Sequence, residues 1–342
     1  MTSVKEFRVS VEPTPTDLGR GAFIFTDAYS VFDWGQMPDD IPNKGAALCL
    51  MGGANFEALE NAGIPTHYLG VGSSATRTTD IDEPVTEMMI ELTQTPQLPY
   101  ADGEYDYEAF HEVAGGNYLI PLEIVFRNEV PVGSSLRRRT APEDHDLEFS
   151  AWPDVAVTLA EPIVEFSTKF EETDRYLSTE EADELAGAAD LTELTALAKA
   201  VNQVITERAA AVGLDHLDGK IECLYHDGEI KVADVVGTFD ENRFAYDGQQ
   251  LSKEIVRQYY KAADPAWVNA VAAAKTEAAD RGVAEWRSLC ETTPQPLPSA
   301  VRDTIGDMYA AGANAFLERQ VFVAPPLHAV AAEVSALDAG GE

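Results

Sequence analysis

Leu217-Asp218-Gly219-Lys220-Ile221-Glu222-Cys223-Leu224-Tyr225, then His226-Asp227-Gly228, then Glu229-Ile230-Lys231-Val232-Ala233-Asp234, is the stretch on which the reading of this chain turns. Ile221, Cys223 and Tyr225 alternate with Lys220, Glu222 and Leu224, the period of a strand. The run from Glu229 to Asp234 reads as its hairpin partner. A three-residue loop, His226-Asp227-Gly228 with Gly228 left-handed, predicts Lys220 opposite Asp234 and Glu222 opposite Val232. Lys220, Glu222 and Asp234 then share one face. A two-residue Asp227-Gly228 loop would shift the register by one and send Asp234 to the other face. Two carboxylates on one face can hold Mg²⁺, and Lys220 with Arg243, just beyond Phe239-Asp240-Glu241-Asn242, can hold phosphate oxygens. That set suits an ATP-using enzyme without a Walker loop. A surface hairpin with an ordinary cross-strand ion pair would share the local pattern, so the rest of the chain has to decide.

The chain has 342 residues, enough for two or three domains with substantial cores, and 45% hydrophobic residues, normal for a globular protein. Charge is the outlier: 59 Asp plus Glu stand against 24 Lys plus Arg, a formal charge of −35 spread along the whole chain. At low salt such a surface repels itself, whereas at molar salt the Debye length falls to about 3 Å and the repulsion is screened. The composition points to a salt-accumulating halophile. Nothing resembles a basic stripe, which disfavours nucleic acid as a partner. No run approaches the ~20 apolar residues that span a bilayer, and Met1-Thr2-Ser3-Val4-Lys5-Glu6-Phe7 does not read as a signal peptide, so a cytoplasmic, non-membrane protein is expected. Cys49, Cys223 and Cys290 are odd in number and far apart, which suggests a reducing compartment. No CxxC or HExxH motif appears, and His67 and His216 read as structural.

Along the chain, Ala22 to Thr26 reads as a buried strand, a polar loop follows that ends in Pro42-Asn43-Lys44-Gly45, and the next segment, to Asn61-Ala62-Gly63, reads as a helix stopped by Gly63 and Pro65. Met88, Ile90 and Leu92 alternate with Glu87 and Glu91, and Leu122, Ile124 and Phe126 with Glu123 and Arg127, predicting two more strands. Residues 99–116 and 137–154 read as inserted loops. Asp190 with Glu193 predicts a capping box ahead of a helix that carries Leu194, Leu197, Val201 and Ile205 on one face. After Lys261 the chain is Ala-rich and helical, broken by Pro294-Gln295-Pro296-Leu297-Pro298. An α+β protein with a cleft between lobes is expected, divided as residues 1–117, 118–262 and 263–342.

Seven segments occur in an order that resembles SAICAR synthetase (phosphoribosylaminoimidazole-succinocarboxamide synthase). They are Thr26-Asp27-Ala28-Tyr29-Ser30-Val31-Phe32-Asp33, Ile41-Pro42-Asn43-Lys44-Gly45, Gly63-Ile64-Pro65-Thr66-His67, and Pro121 to Asn128 with Gly133-Ser134. Pro162 to Lys169 with Asp174, the hairpin above, and Leu251-Ser252-Lys253 with Arg257 complete the set. Together they cover about residues 20 to 260. Ala28 stands where the family has arginine, Val235 where it usually has glutamate, and Lys5-Glu6-Phe7-Arg8 matches the family's Gly-Lys-x-Arg phosphate loop poorly, lacking its glycine.

The resemblance implies a two-lobed fold with an antiparallel-sheet N-lobe, an ATP-grasp/kinase-like central domain and a helical C-terminal tail. It implies an ATP-dependent ligase of purine biosynthesis that joins CAIR to L-aspartate, most simply through an acyl phosphate. ATP and Mg²⁺ are the implied cofactors; CAIR, L-aspartate and ATP are the small-molecule partners, and a homo-oligomer is left open. Glu222 and Asp234 would hold Mg²⁺ beside the ATP phosphates, with Lys220 and Lys169 on phosphate oxygens. Arg127, Ser134 and Arg243 would hold the CAIR phosphate and carboxylate, because arginine's planar fork suits both groups. Lys253 and Arg257 would add to the substrate site, and Asp174 and Asp240 would orient basic residues or the aspartate amine. Lys220, Arg243 and Asp240 form the expected catalytic set. A small-molecule kinase or a non-catalytic nucleotide-binding relative remains the alternative. Three anionic substrates in a chain of this charge require locally positive walls.

Overall fold

The period-two segments of the sequence become strands of two antiparallel sheets in the computed structural model, which describes residues 5–101, 104–281, 283 and 285–339. The first four residues of the N-terminal stretch considered above lie outside them. The first sheet has the order β1-β2-β4-β3, from β1 (Lys5–Val11), β2 (Gly19–Phe25), β3 (Tyr68–Val71) and β4 (Glu87–Leu92). On β4 the expected alternation holds: Met88, Ile90 and Leu92 are buried while Glu87, Met89 and Glu91 are half-buried. Between β2 and β3 runs α1 (Lys44–Asn61), apolar on nearly every side and buried on most of them, as a helix enclosed by other elements must be. It packs on β2, β3 and β4 and on the later helices.

The described residues of 99–116 are more structured than the loop expected there: they include β5 (Tyr100–Ala101), β6 (Glu104–Tyr105) and α2 (Tyr107–Ala114). Asp106 caps α2 by accepting from the Ala109 amide at 2.9 Å.

The second sheet is built around β10 (Asp215–His226). Its order is β13-β12-β10-β8-β9, with β7 and β11 pairing the far half of β10. These strands are β7 (Asn117–Leu119), β8 (Leu122–Val130), β9 (Val157–Thr168), β11 (Glu229–Ala233), β12 (Asn242–Tyr246) and β13 (Gln249–Leu251). The insertion between β8 and β9 contains α3 (Leu136–Arg139) and a short 3-10 turn, tied down by Trp152 Nε1 donating to the Thr140 carbonyl at 2.8 Å. The helices α4 (Thr179–Ala186) and α5 (Leu191–Ala211) follow β9. Leu194, Val201 and Ile205 of α5 are buried and Leu197 is half-buried. Asp190 accepts from the Glu193 amide at 2.9 Å, but the reciprocal capping box forms one helix earlier, between Ser178 and Glu181.

The hairpin register differs from the expected one. Glu222 pairs Ala233 and His226 pairs Glu229, so the loop has two residues. Asp227 (φ 48°) and Gly228 (φ 90°) both sit left-handed, the requirement of a tight hairpin turn that matches strand twist. Lys220 lies opposite Val125 of β8, not Asp234.

The C-terminal end is helical, as expected: α6 (Glu254–Ala263), α7 (Pro265–Arg281), α8 (Ser299–Phe316) and α9 (Leu327–Ala339), with a 3-10 turn at Trp286–Leu289. One contiguous apolar core runs through both sheets and these helices. Among the described residues no helix is long and apolar enough to cross a membrane.

Candidate active site

One face of the second sheet carries the chemistry. Asp218, Lys220 and Glu222 alternate on β10, Glu123 and Arg127 on β8, Glu165 sits across from Val125 on β9, and Arg243 on β12 pairs Asp218. The opposite face is apolar: Ile124, Phe126 and Ile221 are buried in the core. Gly219 is required between Asp218 and Lys220, because a Cβ there would run into the Asn242 side-chain amide and the Phe126 ring.

Arginines gather at one end. Arg243 Nε donates to Asp218 Oδ1 at 2.8 Å and its Nη2 pairs Oδ2, a two-pronged grip. Arg127 Nε donates to Glu165 Oε2 at 2.7 Å, its Nη1 lies 3.5 Å from Asp218, and its Nη2 donates to the Tyr176 hydroxyl at 3.2 Å. Arg139, from α3, pairs the other oxygen of Glu165 at 2.7 Å and stacks on the Tyr176 ring with 3.5 Å to its centroid. Three guanidinium groups thus stand against two carboxylates, in orientations fixed by hydrogen bonds.

Lysines occupy the other end. Lys169, just past β9, donates to Glu222 Oε1 at 2.5 Å. Lys220 donates to Glu123 Oε1 at 2.6 Å and lies 3.5 Å from Glu241. Lys5, at the start of β1, pairs Asp234 and lies 4.4 Å from the Phe23 ring centroid. Asp234 ends β11 in a left-handed backbone conformation (φ 59°), with its carbonyl accepting from His67 Nε2 at 3.1 Å. That turn offsets the register shift, and its carboxylate joins the electrostatic cluster of Glu222, Lys169 and Lys220. Burial raises the proton affinity of Glu222, and the Asp234 charge adds to that rise. Burial would raise Asp234 as well, but Lys5 and then Lys169 overcome it and hold Asp234 below the ordinary carboxylate range. Lys169 and Lys220 stay charged: the surrounding carboxylates outweigh the cost of burial and raise both. Asp174 belongs here too, raised by burial and by Glu123, with Lys220, Asp33 and Lys169 also acting on it.

This lysine end is not the positive wall expected from the sequence. Five carboxylates, of Glu123, Asp174, Glu222, Asp234 and Glu241, face the three lysines. Among the described residues no group of three or more His, Cys, Asp or Glu side chains is arranged to hold a metal by itself. Two carboxylates fit an ion that takes its other ligands from phosphate and water, the usual habit of Mg²⁺.

The remaining expected residues lie at the margins. Asp240 is buried and accepts from the Tyr309 hydroxyl at 2.6 Å, with Lys44 Nζ at 2.9 Å and Lys253 Nζ at 3.7 Å. Burial opposes its charge, but Lys44 and Lys253 overcome this and hold it well below the usual range. It therefore joins the Ile41–Gly45 segment to α8. Arg257 pairs Glu254 on its own helix at 3.0 Å. Ser134 is buried past the end of β8, and its hydroxyl accepts from the Leu136 amide at 3.3 Å. His216 is structural: it stacks on Phe244, and its ring nitrogens lie 2.8 Å from Thr206 Oγ1 and Asn242 Nδ2.

Lys5, Glu123, Glu165, Asp218, Arg139 and Lys44 were not singled out as site residues from the sequence. For Lys5 a signal was present: Lys5, Phe7 and Val9 alternate at strand spacing, so the lysine shares a face with two apolar side chains before the register shifts at Val11.

Known proteins match this chain over most of its length. The family model described as SAICAR synthetase matches residues 14–274. A protein of Archaeoglobus fulgidus, provisionally named phosphoribosylaminoimidazole-succinocarboxamide synthase, is 40% identical over 344 aligned positions, covering 98% of each chain. A solved SAICAR synthase of Saccharomyces cerevisiae complexed with SAICAR superposes with a TM-score of 0.59 at 19% identity, covering 92% of this chain and 96% of that one. A solved SAICAR synthetase in complex with ADP gives a TM-score of 0.54 at 22% identity, covering 75% and 88%. The two structural likenesses bear on fold.

Proposed function

The chain belongs to the SAICAR synthetase family, and on that premise we propose how its cleft carries out the family's reaction. It is an ATP-dependent ligase that joins CAIR to L-aspartate in purine biosynthesis. A carboxylate is a poor electrophile, so we assign ATP the task of activating it. A CAIR carboxylate oxygen attacks the γ-phosphorus, ADP leaves, and an acyl phosphate forms. The neutral amine of L-aspartate then attacks the acyl carbon; phosphate leaves with the bridging oxygen, and the amine gives up a proton.

Positioning and charge neutralisation carry most of such a reaction. Arg127 and Arg243, held by Glu165 and Asp218, bind the phosphate and carboxylate of CAIR at the guanidinium-rich end, with Ser134 adding a hydroxyl. Arg139 extends the same patch. Lys5, Lys169 and Lys220 turn to phosphate oxygens of the nucleotide, with Lys220 on the group in transfer. Phe7 and Val9, 57% and 46% exposed on the Lys5 side of β1, offer an apolar surface that an adenine ring could cover. Glu222 and Asp234 would hold Mg²⁺, which would supply the positive charge that offsets the carboxylate excess at the lysine end. Asp174, whose proton affinity is raised by burial and by Glu123, receives the incoming ammonium and takes one of its protons, leaving the neutral amine that attacks; the proton lost after attack passes to the departing phosphate. Asp240, Lys253 and Arg257 act at one remove, through Glu241 and the Lys44 pair.

The observation that carries this reading is the sheet face that holds Lys220, Glu222, Arg127 and Arg243, with Lys5, Lys169 and Asp234 brought to one end of it from neighbouring segments. The acidic composition fits a halophilic source, and we place the enzyme in the cytoplasm. ADP release in molar KCl, with each substrate omitted in turn, tests the assignment. The expected result is ADP and amide product only with CAIR, L-aspartate and ATP together. Equal ADP release without CAIR would overturn it.

A further inference from the structure

We propose that Tyr176 is a positioning residue for the arginine end of the site, fixing Arg127 and Arg139 for the anionic groups of CAIR. The tyrosine is itself held by backbone on both sides. The Thr168 amide donates to the Arg175 carbonyl at 3.0 Å, the Leu177 amide donates to the Phe166 carbonyl at 3.0 Å, and Tyr176 pairs Ser167 between them. Arg139 arrives from the insertion after β8. That insertion has a small apolar core of its own, in Val130, Leu136 and Val157, with Trp152 packed against it. Arg137 fastens it by donating to the Val130 and Val155 carbonyls at 2.7 and 2.6 Å. Arg139 ends α3, the helix that the buried Leu136 anchors.

Four side chains then close a ring. Glu165 takes Arg127 on one carboxylate oxygen and Arg139 on the other, each at 2.7 Å. Tyr176 joins the same two arginines: its hydroxyl accepts from Arg127 Nη2 at 3.2 Å, and its ring centroid lies 3.5 Å from the Arg139 guanidinium carbon. Arg127 also lies 3.5 Å from Asp218, the carboxylate that Arg243 grips, so the ring is joined directly to the site. The two supports differ in kind. Glu165 cancels charge and competes with an anionic ligand for the guanidinium donors. Tyr176 acts through a hydroxyl and a ring face, and a stacked guanidinium keeps its in-plane N–H edge for an anion. The Arg127 and Glu165 side chains are sheltered, whereas that of Arg139 is 29% exposed and within reach of a ligand. When an anion draws the arginines from Glu165, Tyr176 still holds them in place. The inference rests on the reading above, in which the arginine end binds the phosphate and carboxylate of CAIR.

The test is a double-mutant cycle on the full-length enzyme in molar KCl, with kcat and the KM for each substrate as readouts. Tyr176→Leu should raise the KM for CAIR about tenfold, with kcat and the KM values for ATP and L-aspartate within about twofold of wild type. Tyr176→Phe keeps the ring and should hold the rise to about threefold. Once Arg139→Ala has removed the stack, Tyr176→Leu should add no more than about threefold. A full tenfold step in both backgrounds, to about the same size, overturns the positioning role. A parallel rise in all three KM values overturns it too, since that marks a merely structural residue. If Tyr176→Leu does not fold, Tyr176→Phe carries the test through the hydroxyl on Arg127, and a wild-type KM for CAIR defeats it. Arg243→Lys separates the two levels. Unchanged kcat/KM for CAIR in that variant defeats the placement of CAIR, whereas a loss there beside an unchanged KM in Tyr176→Leu defeats the role of Tyr176 alone.

Discussion

Asp234 shares the electrostatic cluster of Glu222 although the strand register points it away. Ala233 pairs Glu222, so a regular strand would turn Asp234 to the other face; its left-handed backbone (φ 59°) brings the carboxylate back. Non-glycine residues rarely adopt that conformation, and when they do a site is often nearby. Glu222→Gln should keep the fold and lower Mg²⁺-dependent turnover by at least ~10²-fold. Steady-state rates across a Mg²⁺ titration check this, and wild-type rates in the variant would remove the metal assignment.

Lys5 ties the first sheet to the second through Asp234. Lys5→Ala should raise the KM for ATP by about tenfold and leave the KM for CAIR within about twofold. Initial rates with each substrate varied in turn separate these outcomes. Equal effects on both would mean that Lys5 supports the cleft as a whole.

Arg243 grips Asp218 with two nitrogens while its side chain stays 30% exposed. Lysine cannot copy that fork. Arg243→Lys should therefore cut kcat/KM for CAIR by about 10²-fold, with a much smaller change for ATP, in the same assay.

Two buried histidines set the acid limit of the fold. Burial pulls His67 and His216 down to about 4, from 6.5. A histidine depressed in the folded state contributes its stability in full above its unfolded pKa, and loses it as pH falls through the window from 6.5 towards 4. Stability should fall by up to about 3 kcal/mol per histidine across that window. Glu222, raised to about 7, acts in the opposite sense over the same window, so denaturant midpoints between pH 7 and 5 in molar KCl are compared in the Glu222→Gln background, where a flat profile would contradict the histidine effect.

A formal charge of −35 makes stability salt-dependent. The thermal midpoint should rise between 0.1 and 2 M KCl as screening shortens to a few ångströms. Calorimetry at the two salt levels reads this directly.

Much of the site was legible because strand alternation places side chains by parity. Lys220 and Glu222 share a face for that reason, and Arg127 follows from the pattern of Leu122, Ile124 and Phe126. The hairpin register was not legible: two-residue and three-residue loops both fit His226-Asp227-Gly228, and the choice depends on pairing with β8 and β12. Asp240 entered the expected site through the family resemblance; its partners Lys44 and Tyr309 are 196 and 69 positions away and become neighbours only through packing. The structure of residues 99–116 was hidden by their acidic, Tyr- and Gly-rich composition. Lys5 was obscured by the missing family glycine, although its spacing from Phe7 and Val9 carried the information.

Activation of the CAIR carboxylate by ATP is the central claim, and isotope transfer tests it most directly. With ¹⁸O in that carboxylate, single-turnover reaction in molar KCl with ATP and L-aspartate should give phosphate carrying one ¹⁸O for each amide formed. Unlabelled phosphate accompanying full amide formation would contradict the account.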